Sequence, residues 1–239
     1  MSALHHSPES LIYAVMSRDI RQVQKLLNFG IVINPSDAWI IYDACLQGPD
    51  MIQALASDPN IDLNPTVPQQ NGDRVFHFLL RTPCAQFRHN KYETIKALLQ
   101  IGIDPFLPGR RGNTAIHILA GATDEDGLRL LEVLIRDQIT ASDAQRRGSI
   151  LDVVNKAGNN TALIIAVQRN NEHQARLLLE NGASPHIRGE LGRSALYYAV
   201  ARNFIGIAEL LMGHGATIGN DIVPLSQDME NVLSCYCNK

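Results

Sequence analysis

Apolar residues recur along the chain in short bursts at i, i+3 and i+4, the spacing of an amphipathic helix, and the bursts themselves repeat. The pattern is plainest in Asn160-Thr161-Ala162-Leu163-Ile164-Ile165-Ala166 and Arg193-Ser194-Ala195-Leu196-Tyr197-Tyr198-Ala199, two copies set 33 residues apart. Sixteen residues after each final Ala stands a small pair, Gly182-Ala183 and Gly215-Ala216. Within each copy the spacing predicts two short helices and then a loop. Thr or Ser offers an N-cap oxygen to the first helix, and Gly ends the second with a positive φ at little steric cost. A unit this short cannot bury its own apolar face, so neighbouring copies must stack.

The same frame runs backwards through the chain. Leu11, Ala14, Val23, Leu26, Leu27 and Gly30 keep its internal distances, and Ile41, Ala44, Gly48, Ile52 and Leu55 form a degenerate second copy. Two middle copies begin at Arg74-Val75-Phe76-His77 and at Thr114-Ala115-Ile116-His117. The reading is of one domain, 1–239, with copies at 7–34, 37–66, 71–107, 111–140, 158–187 and 191–218. Insertions are expected at 81–92 and 141–154, as local elaborations of the stack. Ile150, Leu151, Val153 and Val154 are expected to pack as an extra turn that leaves Arg146-Arg147 exposed. A terminal helix over 222–236, with Leu225, Met229, Val232 and Leu233 at helical spacing, is expected to cover the last copy, because end units of stacked arrays need covers.

These residues resemble the ankyrin-repeat family. Gly112-Asn113-Thr114-Ala115-Ile116-His117 is close to its G-x-T-P-L-H, and Leu177-Leu178-Leu179-Glu180-Asn181-Gly182-Ala183 is similar to the end of its second helix. The resemblance covers about residues 7 to 218. The family's Pro is replaced by Ala115, Ala162 and Ala195, and its His by Ile164 and Tyr197. It implies an all-α solenoid of about six stacked helix pairs with projecting loops ("fingers"), and an activity of binding proteins along a concave face without catalysis. In its size and irregular insertions the chain also resembles ankyrin proteins that bacteria deliver into host cells as effectors.

Composition narrows the class further. The 239 residues are 45% apolar, which is enough for a sizeable core. A net charge of −3 gives no global drive toward nucleic acid or an anionic membrane. Four scattered cysteines, Cys45, Cys84, Cys235 and Cys237, form no disulfide framework and point to a reducing, intracellular compartment. The first residues lack a secretory pattern, and no run of 18 apolar residues exists to span a membrane. A monomer is expected.

Reaction chemistry leaves no trace. His77 and His117 occupy the family's His position, where the resemblance implies a ring that ties the turn together. His5-His6, His89, His173, His186 and His214 share no zinc spacing, and Cys235-Tyr236-Cys237 has no second ligand pair nearby. Asp124-Glu125-Asp126 reads as a solvated start to a helix, since a calcium loop needs more oxygen ligands at fixed spacing. No catalytic residue, cofactor or metal is assigned, and the chain is read as a non-enzyme.

The arginines carry the candidate site. In the fold the resemblance implies, Arg81, Arg169 and Arg202 face the groove from the first helices. Arg110, Arg111, Arg188 and Arg193 do so from the fingers, with Phe106 and Leu191 beside them. Asp73 and Glu190 are the clearest acids at those positions; the others concentrate in loops and on second helices. The expected surface is Phe106, Arg110, Arg111, Arg169, Arg188, Leu191, Arg193 and Arg202, built for an acidic, partly apolar protein segment through bidentate Arg–carboxylate pairing. Nucleic-acid binding through the same arginines, an enzyme with a cryptic site, and an inhibitory instead of a recruiting adaptor are the competing readings.

Overall fold

The computed structural model describes residues 8–31, 33, 38–67, 73–138, 150–220 and 222–237. It is helical, with thirteen α-helices and no strand among the described residues. The chain divides into two compact units, residues 1–110 and 111–239.

In the first unit, α1 (Pro8–Met16), α3 (Ala38–Gln47) and α5 (Val75–Arg81) are the first helices of three pairs. Their partners are α2 (Ile20–Asn28), α4 (Pro49–Ala56) and α6 (Lys91–Gln100). The first helices stack α1 on α3 on α5, and the second helices α2 on α4 on α6. Leu11, Leu26, Ile41, Ile52, Leu55, Phe76, Leu79, Ile95 and Leu98 fill the space between the layers, all under 2% exposed. Residues 82–90, most of the first expected insertion, form a short 3-10 turn at Cys84–Gln86 and fold back onto the neighbouring pair. Phe87 is buried there, and the Arg88 amide donates to the Leu46 carbonyl at 3.0 Å.

The second unit repeats the design. Its first helices are α7 (Ala115–Ala120), α9 (Ala162–Gln168) and α11 (Ala195–Ala201). Its second helices are α8 (Glu125–Val133, extended by a π turn to Gln138), α10 (Glu172–Glu180) and α12 (Ile205–Gly213). Helix α7 packs on α9 and α8 on α10, so the stack continues across the second insertion. Most of that insertion, including Arg146 and Arg147, lies outside the described residues, as do Met1–Ser7 with His5 and His6. Of its apolar end, Leu151 is buried and Ile150 half-buried, but Val153 and Val154 are about 40% exposed, so only the first two pack.

Local chemistry matches the elements. Thr161 and Ser194 accept from the Ile164 and Tyr197 amides and cap α9 and α11, and Asp124 caps α8 through the Gly127 amide. Gly30, Gly102, Gly182 and Gly215 end α2, α6, α10 and α12 with φ between 80° and 98°. Helix α13 (Gln227–Cys237) packs on α12 through buried Met229 and Leu233. Leu225, expected in the same stripe, precedes the helix and is exposed.

His117 is a structural residue. Its Nδ1 accepts from the Thr114 amide at 3.2 Å and lies 2.9 Å from Thr114 Oγ1, while Nε2 reaches the Val153 carbonyl at 3.0 Å. Nδ1 accepts only when unprotonated, so the ring is neutral with its proton on Nε2. Burial pushes its pKa below the ordinary histidine value, against the weaker opposite pull of backbone hydrogen bonds at Val153 and Asn160. A group whose folded pKa lies below the unfolded value of about 6.5 binds more protons when unfolded. Stability therefore falls as pH drops from about 6.5 toward the folded pKa. Burial raises Asp43 and Asp152, which has the opposite sign in a window opening just above the ordinary carboxylate value. Urea midpoints at about pH 7 and pH 5 should thus differ less for His117→Asn than for the native chain. Equal differences would remove His117 as the source.

Candidate functional site

The expected arginines fall on both compact units. In the first unit, Phe106 is half-buried, its amide held by Asp104 Oδ1 at 2.8 Å in a tight turn, and Arg110 is exposed with its amide held by Asp73 Oδ1 at 2.6 Å. Asp73 is almost fully buried and also accepts from Arg81 at 2.5 Å. Arg81 is therefore committed within the fold, although its register on the first helix placed it with the binding arginines. A partner eight residues upstream is invisible to helical periodicity.

The second unit gathers the other six. Arg169 and Arg202 hold equivalent positions just past α9 and α11, and Arg202 donates to the carbonyl of Gln168, the residue before Arg169. The structure thus brings the two together, and Arg202 helps to satisfy the C-terminal carbonyls of the neighbouring first helix. Arg188, Leu191 and Arg193 share one finger, closed by an antiparallel bridge between Arg188 and Ser194 and by the Gly189 amide on the Arg193 carbonyl at 2.9 Å. Leu191 stands at its tip, 78% exposed, with a φ of 57°. Arg188 braces the turn through the Gly192 carbonyl at 2.8 Å, and the Arg193 guanidinium lies over the Tyr197 ring at 4.8 Å. A cation stacked on an aromatic face is held in orientation and still offers its N–H edge outward.

Arg111 projects from the finger two before that of Leu191 with a φ of 59°, its carbonyl accepting from the Lys156 amide of the intervening finger at 2.6 Å. Gly112 lies so close to Lys156 that an added Cβ would stand 2.9 Å from the Lys156 backbone nitrogen. Sequence reasoning missed the residues that hold these fingers in series. Asn155 donates to Asn113 Oδ1 at 2.9 Å and accepts from the Gly158 and Asn160 amides, and Asn160 Oδ1 accepts from the Glu190 amide. A ladder of asparagine side chains therefore links three successive fingers, and nothing in the apolar pattern marks it.

In the second unit charge is sorted by layer. The exposed ion pairs Glu125–Arg129, Glu132–Arg136 and Glu172–Arg176 all lie on α8, its π extension and α10, each spaced i,i+4. Arg110, Arg111, Arg169, Arg193 and Arg202 make no ion pair with a described residue. In the second unit the second-helix arginines Arg129, Arg136 and Arg176 are neutralised by neighbours on the same turn of chain, and Arg111, Arg169, Arg193 and Arg202 are not. Cys45 is buried and its thiol pushed well up in pKa by burial, which makes it inert. Cys235 is exposed on α13. No group of three or more metal-ligating side chains exists among the described residues, and no helix among them is long and apolar enough to cross a membrane.

Residues 122–221 match the family described as ankyrin repeats (3 copies). A putative ankyrin repeat-containing protein of Treponema pallidum (strain Nichols) is 37% identical over 99 residues, 41% of this chain and 33% of that protein. The B-cell lymphoma 3 protein homolog of Mus musculus is 33% identical over 128 residues, 53% of this chain and 26% of that protein. The chain thus matches a third or less of each relative's length. Among solved structures, the ankyrin repeat domain of Bcl-3 superimposes with a TM-score of 0.71 at 20% identity, over 94% of this chain and 97% of that one, a likeness of fold.

Proposed function

Because residues 122–221 belong to the ankyrin-repeat family and the fold is that of an ankyrin-repeat domain, we propose that the chain is a non-catalytic protein-binding scaffold whose finger and first-helix arginines take an acidic segment of a partner. The observation that supports this is the sorting of charge. Arginines of the second unit's second helices are paired in place, while Arg111, Arg169, Arg193 and Arg202 keep their charge for an incoming ligand. Planar guanidinium groups pair carboxylates in a bidentate way, and exposed Leu191 supplies apolar contact at the finger tip. Intracellular action, in the manner of effectors delivered into host cells, rests on the family resemblance.

Nucleic acid would use the same arginines, and it is separable by experiment. A fluorescein-labelled peptide of alternating Glu and Leu should bind with a salt-dependent anisotropy change. Arg111→Glu with Arg169→Glu should weaken it by about 30-fold, near 2 kcal/mol. The melting temperature should stay nearly unchanged, because exposed charges contribute little to folding. Arg202→Glu is a poorer probe, since losing its bond to Gln168 should itself cost about 1 kcal/mol of stability. Preferential, salt-sensitive binding of single-stranded DNA over the peptide would replace the acidic-protein reading with the nucleic-acid one.

A further inference from the structure

The first-helix layer of the first unit has a different character from the arginine surface. On α3 the residues Trp39, Tyr42, Asp43 and Leu46 share one half-exposed face, while Ala38, Ile41, Ala44 and Cys45 are buried. Trp39 and Tyr42 meet edge to face at 5.5 Å between ring centroids, and Phe78 of α5 completes the cluster at 5.7 Å from Trp39 and 6.4 Å from Tyr42. A hydrogen bond of 3.0 Å between Tyr42 Oη and Thr82 Oγ1 fixes the Tyr42 ring. Asp43 directly precedes buried Ala44, as Tyr13 precedes buried Ala14 on α1 and Phe78 precedes buried Leu79 on α5. With α1 packed on α3 and α3 on α5, the three form one row, a carboxylate with an aromatic residue at the same register on either side. Tyr13 is 76% exposed and Met16, one turn on, 60%.

Asp43 makes no hydrogen bond or ion pair with any described residue, and partial burial beside these rings holds its pKa above the ordinary carboxylate value. Arg81, one turn past Phe78 on α5, gives its charge to Asp73. A partly desolvated carboxylate with no counter-charge destabilises the free protein. Placed among aromatic faces, it suits a cation that stacks on the rings and neutralises the acid together. We propose that this face, centred on Asp43 with Tyr13, Trp39, Tyr42 and Phe78, binds an arginine-bearing basic segment of a partner protein. Arginine fits better than lysine because its planar, weakly hydrated head both stacks and pairs. Tyr and Trp are also the residues on which interface affinity concentrates. The inference rests on the reading of the chain as a protein-binding scaffold but uses none of the arginines assigned above, and it calls for a ligand of opposite charge.

Trp39 is the sole tryptophan of the chain, so its emission reports on this face alone. The full chain is titrated with a capped peptide of alternating Arg and Leu and, separately, with its Glu-for-Arg counterpart. The arginine peptide should produce a saturable change in Trp39 emission, and the glutamate peptide none. Asp43→Asn, nearly isosteric, should weaken the arginine peptide about tenfold while leaving the melting temperature equal or slightly higher, because it removes an uncompensated charge. Tyr13→Ala should weaken it about fivefold without loss of stability. Equal affinity in Asp43→Asn, or an equal response to the glutamate peptide, would overturn the proposal. So would a Trp39 change on raising protein concentration without peptide, which would make a second copy of the chain the occupant. If the Asp43 arm fails while Arg111→Glu with Arg169→Glu still loses the acidic peptide, the inference falls and the proposed function stands.

Discussion

Replacing Phe76 with Ala should destabilise the first unit by about 4 kcal/mol, the upper range for removing a large buried side chain. Phe76 is 1% exposed and sits on α5, a helix of only seven residues. So short a helix has little stability of its own and depends on the face it buries. Phe76 and Leu79 of α5 and Ile95 and Leu98 of α6 are all fully buried, and the gap left by Ala cannot close without moving backbone that is pinned elsewhere. One such pin is the Phe76 amide on Asn64 Oδ1 at 3.1 Å. Another is the buried Lys91 ammonium, which donates to the Leu80 carbonyl at 2.9 Å and so satisfies the C-terminus of α5 from the next helix. In an array each pair is held mainly by its neighbours. Amides of α5 and α6 should therefore lose hydrogen-exchange protection before those of α9 to α12 change. The urea midpoint gives the magnitude, with Tyr13→Ala as the exposed control expected to shift by less than about 0.5 kcal/mol. A Phe76→Ala effect as small as the control's would mean that this layer is not a packed core.

Asn155→Ala should cost about 3 kcal/mol in the second unit and weaken the acidic peptide as well. The side chain is 5% exposed, donates to Asn113 and accepts from two backbone amides. Alanine leaves the Gly158 and Asn160 N–H groups without their acceptor in a site from which water is largely excluded, at about 1–3 kcal/mol for each group stranded. It also loosens the segment whose Lys156 amide holds the Arg111 carbonyl, so the geometry of that finger should relax. The two readouts separate. Thermal melts report the stranded donors, and peptide affinity at a temperature where the variant is fully folded reports the finger. Loss of stability with full retention of affinity would show that Arg111 is not part of the surface.

The repeats were legible because each marker residue answers a local physical demand. Thr161 and Ser194 cap helices, Leu163 and Leu196 fill the core, and Gly182 and Gly215 take the positive φ that ends a helix. Such demands recur at every turn of the stack, so they recur in the sequence. What escaped notice depends on neighbours distant in sequence. The withdrawal of Arg81 requires Asp73 to fold back along α5, and the second role of Arg202 requires the carbonyl end of α9 beside it. The asparagine ladder joins loops up to 42 residues apart with a residue type that reads only as turn-forming. The aromatic row of the first unit was hidden for another reason. The first two repeats lack the capping Thr, with Glu9 and Trp39 in its place, and the second also lacks the closing Gly, so the repeat pattern does not single out Trp39 and Tyr42. Leu225 shows the converse error, an apolar residue at helical spacing that lies ahead of the helix it was assigned to.

The central claim is that the finger and first-helix arginines of the second unit hold an acidic protein segment. Its most direct test is affinity capture from nuclease-treated cell lysate with the native chain and with Arg111→Glu plus Arg169→Glu, read by quantitative mass spectrometry. The account predicts that proteins carrying acidic, partly apolar segments are retained by the native chain and depleted about tenfold or more on the variant, with melting temperatures of the two chains matching. The same proteins captured equally by both chains would contradict it.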